Sequence, residues 1–88
     1  MDELTKYRVT IDTIDKKLIE LLFERKRTIQ LISKIKKDLH KAPLDPTRWN
    51  ELLKTRLEWA RELDLEVDFI SNVFEDIHDW SLLIQSKS

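Results

Sequence analysis

The chain contains no glycine, and that absence removes several classes of function. Phosphate loops of the Walker and dinucleotide types need residues without a Cβ where backbone approaches ligand. Tight hairpins also draw on glycine, so a β-rich fold is disfavoured. Cysteine is absent too, which excludes a disulfide framework, a thiolate nucleophile and any cysteine-based metal site. The two histidines, His40 and His78, fall in different predicted elements and offer no zinc spacing, so no metal site is expected. No stretch resembles a signal peptide or a membrane span, and the expected location is cytoplasmic. Neither sign of charge dominates: 16 Lys and Arg stand against 17 Asp and Glu. A nucleic-acid binder would be basic overall, and this chain is not.

What remains is a chain of 88 residues, enough for one domain spanning 1–88, dominated by helical periodicity. Leu4, Tyr7, Ile11, Ile14, Leu18, Leu21, Ile32, Ile35 and Leu39 recur at alternating threes and fours, with gaps around Arg25 and Thr28. No proline interrupts them, so the spacing predicts one helix over residues 4–39. At 1.5 Å per residue that is a rod of about 54 Å. A compact domain of this length is only about 25–30 Å across. The rod therefore outruns its own chain, and a partner helix is implied. Leu21, Leu22 and Phe23 widen the apolar stripe at mid-helix, which suits burial on more than one side.

Pro43 ends this helix by disfavouring helical geometry at Ala42. Asp45-Pro46 then reads as an N-cap followed by proline at the first helical position. A second helix is predicted over residues 46–63, with Trp49, Leu52, Leu53, Arg56, Leu57, Ala60 and Leu63 facing inward. After a break at Asp64-Leu65-Glu66, a third covers residues 67–85, with Val67, Ile70, Val73, Phe74, Ile77, Trp80 and Ile84 on its apolar side. Residues 1–3 are expected to fray. The fold class is all-α, with one long helix and two shorter ones.

Charge is unevenly distributed. Residues 1–41 carry +4 and residues 42–88 carry −5. That polarity suits a small anionic ligand or self-association through helices of opposite charge. Arg25 and Lys36 are eleven residues apart and share a helix face, with Ile29 and Ile32 between them. Arg25 sits where an apolar residue is expected, and a buried cation calls for an anionic partner. Arg8 lies about 25 Å before Arg25 along the axis and faces elsewhere, so it can join Arg25 and Lys36 only from an antiparallel second copy. Arg48, in the first turn of the second helix, opposes the helix dipole but can help grip an anion. His78, Ser81 and Gln85 share one face of the third helix. Taken singly, each charge also reads as solvated, Ser81 as bonding back to its own helix, and Trp49, Trp59 and Trp80 as core or interface residues.

Together these residues resemble the all-helical class of chorismate mutases. Arg8, Ile11, Ile14-Asp15, Lys17-Leu18 and Leu21-Leu22-Phe23-Glu24-Arg25 are similar to that family's first-helix signature. Lys36 matches its lysine, Asp45-Pro46-Thr47-Arg48 its loop and second-helix start, and Ser81 with Gln85 its third-helix pair. The resemblance covers residues 4–85. It implies an intertwined antiparallel homodimer with shared active sites and a rearrangement of chorismate to prephenate that needs no cofactor. It implies that Arg8 from the partner, Arg25 and Arg48 bind the two substrate carboxylates, helped by Ser81. Lys36 and Gln85 would be the catalytic pair, donating to the ether oxygen. Ile32, Asp45, Trp49 and His78 would complete the substrate pocket. Neither a nucleic acid nor a membrane is implied as partner.

Two positions depart from the family pattern. Trp49 stands where a glutamate usually meets the substrate's ring hydroxyl, and His78 where an aliphatic wall residue is usual. Related enzymes with an apolar residue at the first position include isochorismate-pyruvate lyases and mutases of 4-amino-4-deoxychorismate. Asp45 and Ser81 look more like the mutases, and chorismate mutase is the leading expectation. A non-enzymatic helical dimer, serving as a regulatory module, is the competing class.

Overall fold

A computed structural model describes residues 2–88, and over those residues the chain forms three α-helices and no strand. Helix α1 spans Glu3–Asp38, α2 spans Pro46–Glu62 and α3 spans Val67–Ser86. The boundaries follow local chemistry. Asp2 caps α1, its carboxylate accepting from the Thr5 N–H at 2.7 Å. That hydrogen bond holds the Asp2 carboxyl below its usual range. The fraying expected for residues 1–3 is thus corrected for Asp2 and Glu3, while Met1 lies outside the described residues. Asp45 caps α2 through the Arg48 N–H at 3.1 Å, with Pro46 at the first position.

Both interhelical breaks solve the same problem without glycine. A helix commonly ends with one residue in the left-handed region. Here His40 and Asp64 take that conformation, each with φ of 55°. After α1, Lys41 N–H bonds to Lys36 C=O at 2.7 Å and His40 N–H to Lys37 C=O at 3.1 Å. After α2, Leu65 N–H bonds to Ala60 C=O at 2.8 Å and Asp64 N–H to Arg61 C=O at 3.2 Å. These are two complete Schellman closures, which satisfy carbonyls that the helix ends leave open.

Helix α3 is the element on which the other two pack. It runs antiparallel to α2, bringing Trp49 to His78 and Arg56 to Phe74. The C-terminal part of α1 also packs on α3, and α1 and α2 do not pack on each other among the described residues. Leu52, Ala60 and Ile84 form the buried apolar core. One expected position differs. Leu63 is 72% exposed rather than inward, because it is the C-cap, one residue past the last turn of α2. Trp59 is 52% exposed, with the Arg56 guanidinium 4.8 Å above its ring.

The molecule is elongated, 57 × 26 × 15 Å, with a radius of gyration of 16.4 Å. A compact chain of this length would have a radius near about 12 Å. The excess comes from residues 3–24 of α1, every one of which is exposed.

Candidate functional site

The three helices meet around a cavity of about 300 Å³. From α1 it receives Arg25, Ile29, Ile32 and Lys36; from the turn, Pro43 and Asp45; from α2, Arg48, Trp49 and Leu52; from α3, His78, Ser81, Leu82 and Gln85. Nine of the ten site residues expected from the sequence therefore lie together. Arg8 does not. It belongs to the exposed stretch of α1 and is absent from the cavity wall. The sequence named no site role for Pro43, Leu52 or Leu82, and their inclusion depends on how the helices cross.

The polar side chains are braced before any ligand arrives. Arg25 donates through Nη1 to Ser81 Oγ, and the Ser81 hydroxyl in turn donates to the Ile77 carbonyl at 2.8 Å. The back-bonding read for Ser81 and its approach to Arg25 are therefore compatible. Lys36 Nζ donates to the Pro43 carbonyl and, at 3.2 Å, to Gln85 Oε1. Gln85 Nε2 donates to the Ser81 carbonyl at 3.3 Å. Ser81 and Gln85 are both buried, and nearby Ser33, also buried, reaches the Gln85 carbonyl at 3.5 Å. Buried polar groups held this way keep one geometry and avoid the cost of an unmade hydrogen bond.

The electrostatics are one-sided. Asp45 supplies the one carboxylate among the cavity walls, and one of its oxygens already caps α2. Burial, and then the like charges of Arg56 and Arg48, hold the Arg25 guanidinium below its usual range. Burial and the charge of Arg48 do the same to Arg56. Arg56 does not line the cavity. The sequence showed it only as a cation on an apolar stripe, yet it adds to the positive field there. An anion entering the cavity relieves this repulsion. On the same cavity wall, Trp49 and His78 stack with ring centroids 4.1 Å apart and planes at 25°. No group of three side chains able to hold a metal ion occurs among the described residues. No helix among the described residues is long and apolar enough to cross a membrane.

Residues 7–86 match the family model described as chorismate mutase type II, and the chain belongs to that family. A curated relative is the bifunctional chorismate mutase/prephenate dehydratase of Buchnera aphidicola subsp. Acyrthosiphon pisum (strain APS). It is 29% identical over 86 residues, covering 98% of this chain and 22% of the relative. The chain thus spans about a fifth of that relative's length.

Proposed function

We propose that residues 1–88 form one catalytic domain that converts chorismate to prephenate, in the cytoplasm, as a step of aromatic amino acid biosynthesis. One observation carries this reading: a small cavity with three cations, two of them braced, and the Gln85 amide, in a chain of the chorismate mutase type II family. The substrate is a dianion with an ether oxygen. Arg25 and Arg48, with Arg8 of the partner subunit, bind its carboxylates and fold it into the reactive geometry. During the rearrangement the ether C–O bond breaks while a C–C bond forms, and negative charge grows on the oxygen. Lys36 and Gln85 donate to that oxygen. Donors fixed in advance stabilise the transition state more than the ground state, and no nucleophile or proton transfer is required.

The working unit in this proposal is a homodimer. Leu4, Tyr7, Ile11, Ile14, Leu18 and Leu21 are all exposed along one arm of α1. The accessible surface is 7304 Å², whereas a compact monomer of this mass exposes about 5,500 Å². The surplus, about 1,800 Å² per chain, suits an obligate interface. An antiparallel partner would cover it and bring Arg8 toward the cavity.

Trp49 favours a second reading, in which the site acts on isochorismate or on 4-amino-4-deoxychorismate. The test is to incubate the protein separately with chorismate, isochorismate and aminodeoxychorismate, identify the products, and sediment the active species. Prephenate from chorismate alone, made by a dimer, is expected. Salicylate from isochorismate as the dominant product would move the assignment to the lyase. No turnover of any of the three would leave the non-enzymatic module.

A further inference from the structure

The cavity has many hydrogen-bond donors and few acceptors. The guanidinium and ammonium groups can only donate. Ser81 Oγ already accepts from Arg25, Gln85 Oε1 from Lys36, and one Asp45 oxygen from the start of α2, which leaves the second Asp45 oxygen as the competing acceptor. His78 is different. It is half-buried, lines the cavity, and is held by the indole of Trp49 with no hydrogen bond to its ring among the described residues. A neutral imidazole presents one donor and one acceptor in its ring plane. Stacking fixes the faces of the ring and leaves that edge available.

Chorismate, the substrate proposed above, carries one further polar group besides its carboxylates and ether: a ring hydroxyl. A hydroxyl is best held by a group that accepts its proton. We propose that His78 hydrogen-bonds the ring hydroxyl of the substrate, and that Trp49 is the positioning residue that holds the imidazole for this task. The stack would then replace a carboxylate as reader of the ring substituent. The inference rests on the chorismate reading and deepens it. Size alone allows the reach, since in a cavity of about 300 Å³ a ligand that fills the space meets every wall.

The test compares kcat/KM for chorismate with that for its analogue lacking the ring hydroxyl. Losing one neutral hydrogen bond changes binding about three- to tenfold. His78→Leu should lower kcat/KM for chorismate by that factor and leave the analogue within about twofold. His78→Gln, which keeps an acceptor and a donor, should recover part of the preference. Trp49→Ala should reduce the chorismate-to-analogue ratio as His78→Leu does, whereas Trp49→Phe, which still stacks, should retain it. Asp45→Asn keeps a capping side chain and should leave the ratio unchanged. Circular dichroism checks that each variant is folded. Equal losses on both compounds in His78→Leu would make the residue a packing element and overturn the proposal. A ratio that collapses in Asp45→Asn instead would assign the hydroxyl to that carboxylate. A parent protein that does not convert chorismate overturns the activity itself, a separate result from either of these.

Discussion

Residues 3–24 and residues 25–36 belong to one uninterrupted helix, but their surroundings have little in common. In the first stretch every side chain is exposed, and Leu18, on the apolar stripe, is 54% accessible. In the second, Arg25, Ile29, Gln30 and Lys36 are half-buried and Ser33 is buried. The apolar period is the same in both, so the difference does not lie in helix propensity. It lies in what the chain itself can provide. Helices α2 and α3 are 17 and 20 residues long, too short to cover a 36-residue rod. Arg25, Ser33 and Lys36 on the packed stretch acquire partners on α3. Hydroxyls on the arm, such as Thr10 and Thr13, bond back to their own helix at Lys6 and Val9. A charge on the arm thus meets no surface of its own chain among the described residues, whereas Arg25 and Lys36 on the packed stretch meet α3.

Arg8 and Arg25 test that contrast most severely. Each changed to alanine should lose nearly all activity, by about 10²-fold or more, if each supplies a cation to the proposed dianionic substrate as it reacts. Because the two would serve one site from different chains, a refolded mixture of the two variants should regain part of the parent rate. If subunits exchange and nothing returns, the arm has no role in the site and the comparison fails.

Within the packed end, Gln85→Glu sharpens the role of Lys36. A carboxylate at that position would sit 3.2 Å from the lysine ammonium, as Gln85 Oε1 does, and the cation would favour its ionised form. Ionised, it cannot donate to an ether oxygen. At neutral pH turnover should fall about 10²–10³-fold, and it should rise as the pH drops and the carboxyl gains its proton. The parent amide should show no such dependence. Measuring kcat against pH for both proteins decides the matter; coincident profiles would remove Gln85 from the chemistry.

The smallest effect uses one substitution at two kinds of place. Asp64→Gly relieves a left-handed residue and should stabilise the fold by about 1 kcal/mol, or about 4–8 °C in Tm for a domain of this size. Lys16→Gly, in the arm, should cost about 1 kcal/mol because glycine is a poor residue inside a helix. Thermal unfolding should move in opposite directions, and equal signs would contradict the local account of the two sites.

Much of this was legible in the sequence because it rests on short-range rules. Asp45-Pro46 marks the start of α2, and the spacing of Arg25 and Lys36 sets both on the face that meets the cavity. What escaped depends on tertiary context. His40 and Asp64 give no sign that they would take the glycine conformation. Trp49 and His78 are each visible as departures from a family pattern, but their stacking is decided by the antiparallel packing of α2 on α3. Leu63 follows the helical period one residue past the helix end, where the period no longer reports burial.

The crowding of Arg25, Arg48 and Arg56 has a practical side. A pocket that relaxes when negative charge enters does not discriminate strongly between sources of that charge. Phosphate or sulfate from a buffer would then occupy part of the space that the proposed dicarboxylate takes, as a weak and reversible competitor. Its effect would grow with anion valence and concentration, and would be distinct from simple screening by monovalent salt. Apparent affinities for this protein and its arginine variants are therefore comparable only at matched buffer anion. A variant that loses a guanidinium also loses part of its sensitivity to the buffer, so its apparent defect would shrink or grow with the solution chosen.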